Sequence, residues 1–322
     1  TALLDSIDNQ DYSKELLEVI IADGMSDDGT REIIANHIKE HLYIKLIDNE
    51  QKIAATGLNK AIKISKGDVI IRMDVHSIYP NNYFSILIDN LIKTGADNVG
   101  GMCKTCPGND SIKAKAIALA MSHPFGVGNS QFRITNKTEP YEVDTVPFGC
   151  YKRSVFEKIG LFDEVLVRNQ DNEFNERLIK NGGKIYLIPT LKIKYFAREN
   201  FTKLWKMNYQ YALFGPAIDR KLGKPSRLRK YIPSIFILSI ILPFLSSFFC
   251  KKAKYIAYAS GLAYFVLSFI CSCKLAMKEK NFILLFHLII AFLTAHVAYG
   301  VGFLRGYFFI PNNSNPNIQI SR

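Results

Sequence analysis

Three stretches near the carboxyl end contain no Asp, Glu, Lys or Arg: residues 231–250, 255–273 and 282–304, of 20, 19 and 23 residues. A helix rises about 1.5 Å per residue, so about 20 apolar residues cross a hydrocarbon layer of about 30 Å. This constrains the fold more than any other feature, because a backbone in lipid must satisfy its own hydrogen bonds. Everything before Arg220 has the composition of a water-soluble domain, and the mean hydropathy of +0.04 averages over these two unlike parts. The pattern implies a soluble head on a short membrane region. It excludes a disordered chain, a purely soluble fold and a transporter with most of its mass in lipid.

The formal charge is +12, from 41 Lys and Arg against 29 Asp and Glu. Its placement points to a membrane surface and away from nucleic acid. Residues 219–230 hold Arg220, Lys221, Lys224, Arg227, Arg229 and Lys230 against one acid, immediately before the first apolar stretch. Basic clusters of this kind bind anionic headgroups and stay on the cytoplasmic side. The head is therefore expected at the inner face of the cell membrane. Of the six cysteines, only Cys103 and Cys106 form a C-x-x-C, and no second pair follows at zinc spacing, so reduced thiols are expected.

Within the head, strand and helix patterns alternate. Residues 17–22 form a β-branched apolar run ending at Asp23. Residues 30–41 carry Ile33, Ile34 and Ile38 on one helical face. Residues 44–49 read as a strand, 54–65 as a helix and 68–73 as a third strand. Pro80 opens another helix to about Thr94, and residues 98–104 suit a fourth strand. Such alternation predicts an α/β fold with a mostly parallel sheet and helices on both faces. Ligands of these sheets sit beyond the carboxyl ends of the strands, so acids there are candidates for chemistry.

Two strands end in acids. Asp23 is followed by Gly24-Met25-Ser26-Asp27-Asp28-Gly29-Thr30, which also suits a turn and helix cap. Asp74-Val75-His76 follows the third strand, and both of its polar side chains can bind a divalent cation. Further on, residues 169–174 (NQDNEF) put Asp171 and Glu173 in a helical first turn, where acids also favour the helix dipole.

These pieces, in this order, resemble the family 2 inverting glycosyltransferases, whose fold is of the GT-A type. EVIIADGMSDDGT (18–30) is similar to that family's nucleotide-binding strand and turn, DVIIRMDVH (68–76) to the strand leading into its D-x-D metal motif, and QDNEFNERL (170–178) to its E-D-x-x-x-x-x-R-L segment. Here His76 replaces the second motif Asp, and Gln170 replaces the Glu before the base. HPFGVGNSQFR (123–133), VDTVPFGCYKR (143–153) and HVAYGVGFLRG (296–306) resemble the succinoglycan-biosynthesis branch, whose members also use D-x-H.

The resemblance implies a membrane-attached hexosyltransferase of surface or exopolysaccharide synthesis. Its donor would be a nucleotide-sugar, expected to be a UDP-sugar, and its acceptor a lipid-linked glycan. Asp171 is implied as catalytic base, Asp23 as a contact to the nucleotide base, and Asp74 with His76 as holders of Mn²⁺ or Mg²⁺ beside the diphosphate. The imidazole favours Mn²⁺, because Mg²⁺ prefers oxygen donors. Lys52 and Asn59 are further nucleotide-contact candidates, with ordinary surface or helix roles equally open. Arg198 suits a diphosphate or a plain salt bridge. Transfer directly to a polyprenyl phosphate, and a catalytically inactive sugar-nucleotide-binding scaffold, are the alternatives.

The expected organisation is a catalytic domain over residues 1–198, an interfacial helix and basic segment over 199–230, membrane helices over 231–304 and a polar tail over 305–322. The resemblance also implies an apolar opening strand before the Gln10-Asp11-Tyr12 turn. Residues 1–8 read instead as the end of a helix. The chain is thus expected to lack that strand, leaving residues 17–22 without a partner on one side.

Overall fold

The computed structural model describes residues 2–223, 225 and 228–309. Lys224 and Arg227 of the basic cluster, and the tail from residue 310 onward, lie outside the described residues. The chain divides into two compact units, Thr1–Lys104 with Thr135–Tyr195, and Thr105–Ile134 with Phe196–Arg322. In chain order the first stretch holds α1 (Ala2–Asp8), β1 (Val19–Asp23), α2 (Thr30–Glu40), β2 (Ile44–Asp48), α3 (Ala54–Ile64), β3 (Val69–Ile71), β4 (Ser77–Ile78), α4 (Tyr83–Thr94) and β5 (Asn98–Cys106). Next come α5 (Ile112–Ala120), α6 (Pro124–Val127), α7 (Gln131–Ile134), β6 (Tyr141–Glu142), β7 (Cys150–Lys152), α8 (Arg153–Ile159), α9 (Gln170–Lys180) and β8 (Ile185–Phe196). The chain closes with α10 (Phe201–Leu213), α11 (Gly215–Leu222), α12 (Ile232–Ser246), α13 (Ala253–Lys278) and α14 (Ile283–Phe309).

In the α/β unit, β1 and β2 are parallel, from Val19 beside Ile44 to Asp23 beside Asp48. Among the described residues β1 pairs with β2 alone. The second sheet runs β3-β7-β5-β8-β4, with β6 on β8. Its pairs β3/β7, β5/β7, β4/β8 and β6/β8 are antiparallel. The expectation of a mostly parallel sheet is thus corrected: it holds for β1/β2 and fails in the larger sheet. The short strand β7 arrives late in the chain and inserts between β3 and β5, and a local alternation of patterns carries no information about such an insertion.

The unit is held by side chains whose spacing matches their elements. α4 buries Tyr83, Phe84, Leu87 and Leu91 along one face and stops at Gly95, whose φ of 67° suits glycine. Tyr151, Phe156, Phe162 and Phe174 form an aromatic cluster that joins β7, α8 and α9, with Phe162 and Phe174 centroids 4.5 Å apart. Gln10 ties the amino-terminal segment to α4: its amide donates to Pro80 O, and its Oε1 accepts from the Phe84 amide.

The second unit is helical. α5, α10, α13 and α14 share a core that includes Ile117, Leu204, Met207, Leu284, Leu288 and Phe292. Residues 105–134, expected within the head, therefore group with the carboxyl-terminal helices. Small residues let these helices approach. A Cβ on Gly302 or Gly306 would lie 2.4 Å from Tyr209 O or 2.1 Å from Leu213 O, both in the α10 backbone. His296 uses both ring nitrogens, with the Tyr264 hydroxyl at 2.9 Å and Phe125 O at 2.8 Å, which is a packing role. Three helices are long and apolar enough to cross a membrane: Leu228–Ser246, Ala253–Lys278 and Ile283–Phe309.

Candidate active site

Asp23 and Asp48 stand side by side at the carboxyl ends of β1 and β2. Arg31, in the first turn of α2, bonds both: Nη1 to Asp23 Oδ2 at 2.9 Å and Nη2 to Asp48 Oδ1 at 2.7 Å. The Ser26 amide and hydroxyl also donate to Asp23, at 2.8 and 2.7 Å. Burial alone would raise the Asp23 carboxyl, but the hydrogen bonds from Ser26 and Arg31 outweigh it and hold the group below its ordinary value. The sequence-predicted nucleotide contact is thus a fixed, ionised carboxylate at the sheet edge.

Beyond β3, the Arg72 amide donates to Gly149 O and the chain turns into Asp74-Val75-His76. Tyr79 anchors this turn, its hydroxyl accepting from the Asp74 amide at 2.7 Å. Burial pushes the Tyr79 phenol well above its ordinary value, so it stays protonated. Asp74 Oδ1 accepts from the His76 amide at 2.8 Å. Asp74 is partly exposed and His76 exposed, and neither enters an ion pair among the described residues. One carboxylate and one imidazole in an open loop fit a divalent cation whose remaining positions go to phosphate oxygens and water.

Asp171 sits in the first turn of α9, after Asn169 at φ 64°. Its Oδ1 accepts from the Asn172 amide at 2.9 Å, and its Oδ2 lies 3.4 Å from Arg72 Nη1. Arg72 stands two residues before Asp74, so this pair ties the expected base to the segment that leads into the expected metal loop. The helix itself is fixed by the fully buried Glu173, which binds Arg177 through both oxygens at 2.9 Å. Arg177 also donates to the carbonyls of Ile159 and Leu161, which locks α9 to the preceding loop.

Of the remaining sequence candidates, Lys52 is exposed in the turn after β2, at φ 58°. Asn59 is buried and points elsewhere. Its Nδ2 donates to Phe162 O at 2.8 Å and Glu164 Oε1 at 2.9 Å, and its Oδ1 accepts from the Phe162 amide at 3.0 Å. That amide clasps α3 to a loop. Three non-glycine residues at positive φ (Met25, Lys52 and Asn169) stand in the turns that carry candidate residues, and strain of this kind collects at functional sites. Arg31, Asp48, Arg72 and Tyr79 were not among the sequence candidates. The charge of Arg72 directly after an apolar run was the one available signal.

The sequence pattern of glycosyl transferase family 2 matches residues 1–160. A dolichyl N-acetyl-alpha-D-glucosaminyl phosphate 3-beta-D-2,3-diacetamido-2,3-dideoxy-beta-D-glucuronosyltransferase of Methanococcus voltae is 30% identical over 233 residues, covering 69% of this chain and 70% of that protein. The chain belongs to glycosyl transferase family 2. This family 2 chain is also 31% identical over 199 residues to the succinoglycan biosynthesis protein ExoA of Rhizobium meliloti (strain 1021), covering 61% of the chain and 58%, under two thirds, of ExoA. In fold it is similar to the mannosyltransferase PcManGT of Pyrobaculum calidifontis, solved with GDP-Man and Mn²⁺. There the TM-score is 0.56 at 16% identity, over 92% of this chain and 81% of that one. The fold is GT-A-like.

Proposed function

We propose that this protein is a membrane-attached inverting glycosyltransferase that moves one sugar from a UDP-sugar to a lipid-linked glycan during surface or exopolysaccharide assembly. The observation that carries the proposal is the 3.4 Å ion pair from Arg72 to Asp171, which ties the first turn of α9 to the segment between β3 and Asp74-Val75-His76. Asp171 takes the proton of an acceptor hydroxyl as that oxygen attacks the anomeric carbon, a contribution of about 10²–10⁴-fold in rate. The bond to the nucleoside diphosphate breaks on the opposite face, through an oxocarbenium-like transition state. Asp74 and His76 hold Mn²⁺, which when bound supplies positive charge that stabilises the departing diphosphate. Asp23, fixed as an anion by Ser26 and Arg31, accepts from an N–H of the nucleotide base.

The acceptor class is supported by the names of the two relatives, one from succinoglycan biosynthesis and one acting on a dolichyl phosphate-linked sugar. Arg220, Lys221, Arg229 and Lys230 before α12 support attachment at the cytoplasmic face of the inner membrane. The test is a panel of sugar nucleotides, with and without Mn²⁺, offered to the full chain in nanodiscs with a lipid extract as acceptor. Released nucleoside diphosphate and sugar in the lipid fraction are measured. Metal-dependent release with the sugar on a lipid-linked glycan is expected. Sugar placed directly on polyprenyl phosphate would assign the other acceptor, and release from no donor would leave the catalytically inactive scaffold.

A further inference from the structure

Asp8, His37 and His41 converge at the end of the α/β unit opposite the strand ends just described. Among the described residues they are the one group of at least three His, Cys, Asp or Glu side chains whose donor atoms all lie within 4.8 Å of one another. His37 and His41 are four residues apart, so α2 and its carboxyl cap present both rings on one face. The rings stack at 4.2 Å between centroids. Asp8, the last residue of α1, puts Oδ2 2.9 Å from His37 Nε2 and Oδ1 3.7 Å from His41 Nδ1. A tetrahedral ion with bonds of about 2.0–2.1 Å separates its ligand atoms by about 3.3 Å, and one donor atom from each of the three residues lies within 4.8 Å of the others.

Two details favour an ion over a simple contact. His37 Nε2 is buried and lies 2.9 Å from Asp8 Oδ2 without the alignment of a hydrogen bond. The carboxylate is also oriented from outside the trio: the Tyr43 hydroxyl donates to Asp8 Oδ1 at 2.7 Å, as outer-shell partners do at metal sites. Lys14 is held on the carbonyls of Ile7 and Gln10.

We propose that Asp8, His37 and His41 form a Zn²⁺-type transition-metal site that clips α1 onto α2 and the start of β2. Two imidazoles and one carboxylate form a three-ligand set of the kind zinc takes, with a fourth position for water. Tyr43 stands five residues before Asp48, and at about 3.3 Å per residue the clip is about 16 Å from the carboxyl edge of the sheet. It is thus separate from the Asp74 and His76 loop and has no part in transfer. Its role is to hold the amino-terminal helix, so metal raises the melting temperature by binding the folded state.

The test uses the full chain with Asp74→Ala and His76→Ala, so that the loop contributes no ligands. Zn²⁺ binding is measured by competition with a chromophoric chelator, and Co²⁺ is added to read coordination from its visible absorption. One equivalent of Zn²⁺, a four-coordinate Co²⁺ spectrum and a higher melting temperature are expected. Adding His37→Gln with His41→Gln removes all three. Tyr43→Phe keeps every ligand and weakens Zn²⁺ by at least about tenfold. Absence of Zn²⁺ binding in the loop variant, a six-coordinate spectrum, or unchanged affinity in the His37→Gln, His41→Gln chain or in Tyr43→Phe overturns the proposal.

Discussion

In the proposed mechanism Asp74 and Asp171 carry different duties, and their surroundings differ accordingly. Asp74 lies in the open loop with His76, whereas Asp171 faces Arg72 from a helix pinned by Glu173 and Arg177. Asp74→Ala is therefore expected to weaken Mn²⁺-dependent donor binding. Asp171→Asn should leave donor affinity near the wild-type value and lower turnover by about 10²-fold or more. Donor titration and single-turnover transfer on both variants check this, and near wild-type turnover in Asp171→Asn would remove the base assignment. Asp23 gives a pH signature. Its folded carboxyl titrates below the ordinary 3.8, so its stabilising effect is fully present above that value and is lost as pH falls through the folded one. The gap in melting temperature between wild type and Asp23→Asn should be constant above about pH 5 and shrink below about pH 4. A gap that widens on acidification contradicts this assignment.

Among the elements, α14 depends most on side chains that are missing. Gly302 and Gly306 let the α10 backbone lie directly on it, and an added methyl would run into the backbone of Tyr209 or Leu213. Gly306→Ala should cost about 2 kcal/mol by overpacking. Gly261→Ala, in α13 with nothing within 4 Å of the new Cβ, should leave stability unchanged or slightly raised. Thermal unfolding of the two variants in the same detergent compares them directly. Equal melting temperatures would mean that α10 and α14 pack more loosely than the structure has them.

For the whole molecule, the question is how often the chain crosses the membrane. α13 and α14 have 26 and 27 residues, about 39 and 40 Å of helix, whereas the 15 residues of α12 give only about 22 Å. The four residues before α12 extend that span to 19, about 28 Å, and Pro243 within it is tolerated in membrane helices. Phe248, Phe249, Tyr255, Leu262 and Phe265 are exposed, as lipid-facing side chains would be. Three full crossings put Lys252 and Lys280 on opposite faces, and single cysteines at these positions in a cysteine-free chain should label from opposite sides. Labelling of both from one side would instead assign α12 and α13 to a re-entrant pair, which the basic Lys251, Lys252 and Lys254 would favour.

The sequence by itself determined most strands and helices of the first 104 residues, the three long apolar helices and where the candidate acids fall. Each rests on local physics: an uncharged run long enough for lipid, the spacing of Ile33, Ile34 and Ile38 on α2, and a polar turn following an apolar strand at Asp23 and Asp74. It did not determine strand direction in the larger sheet, because β7 pairs with β3 and β5 across about 80 and 50 residues of chain and no local pattern records a partner. It could not show that residues 105–134 pack with the carboxyl-terminal helices, since an apolar face does not name what covers it. Nor could it separate Asn59, spent on Phe162 and Glu164, from a residue free to meet a ligand. The Arg72 to Asp171 pair and the Asp8, His37 and His41 cluster have the same origin. Each joins side chains far apart in sequence, and only the folded backbone brings them within bonding distance.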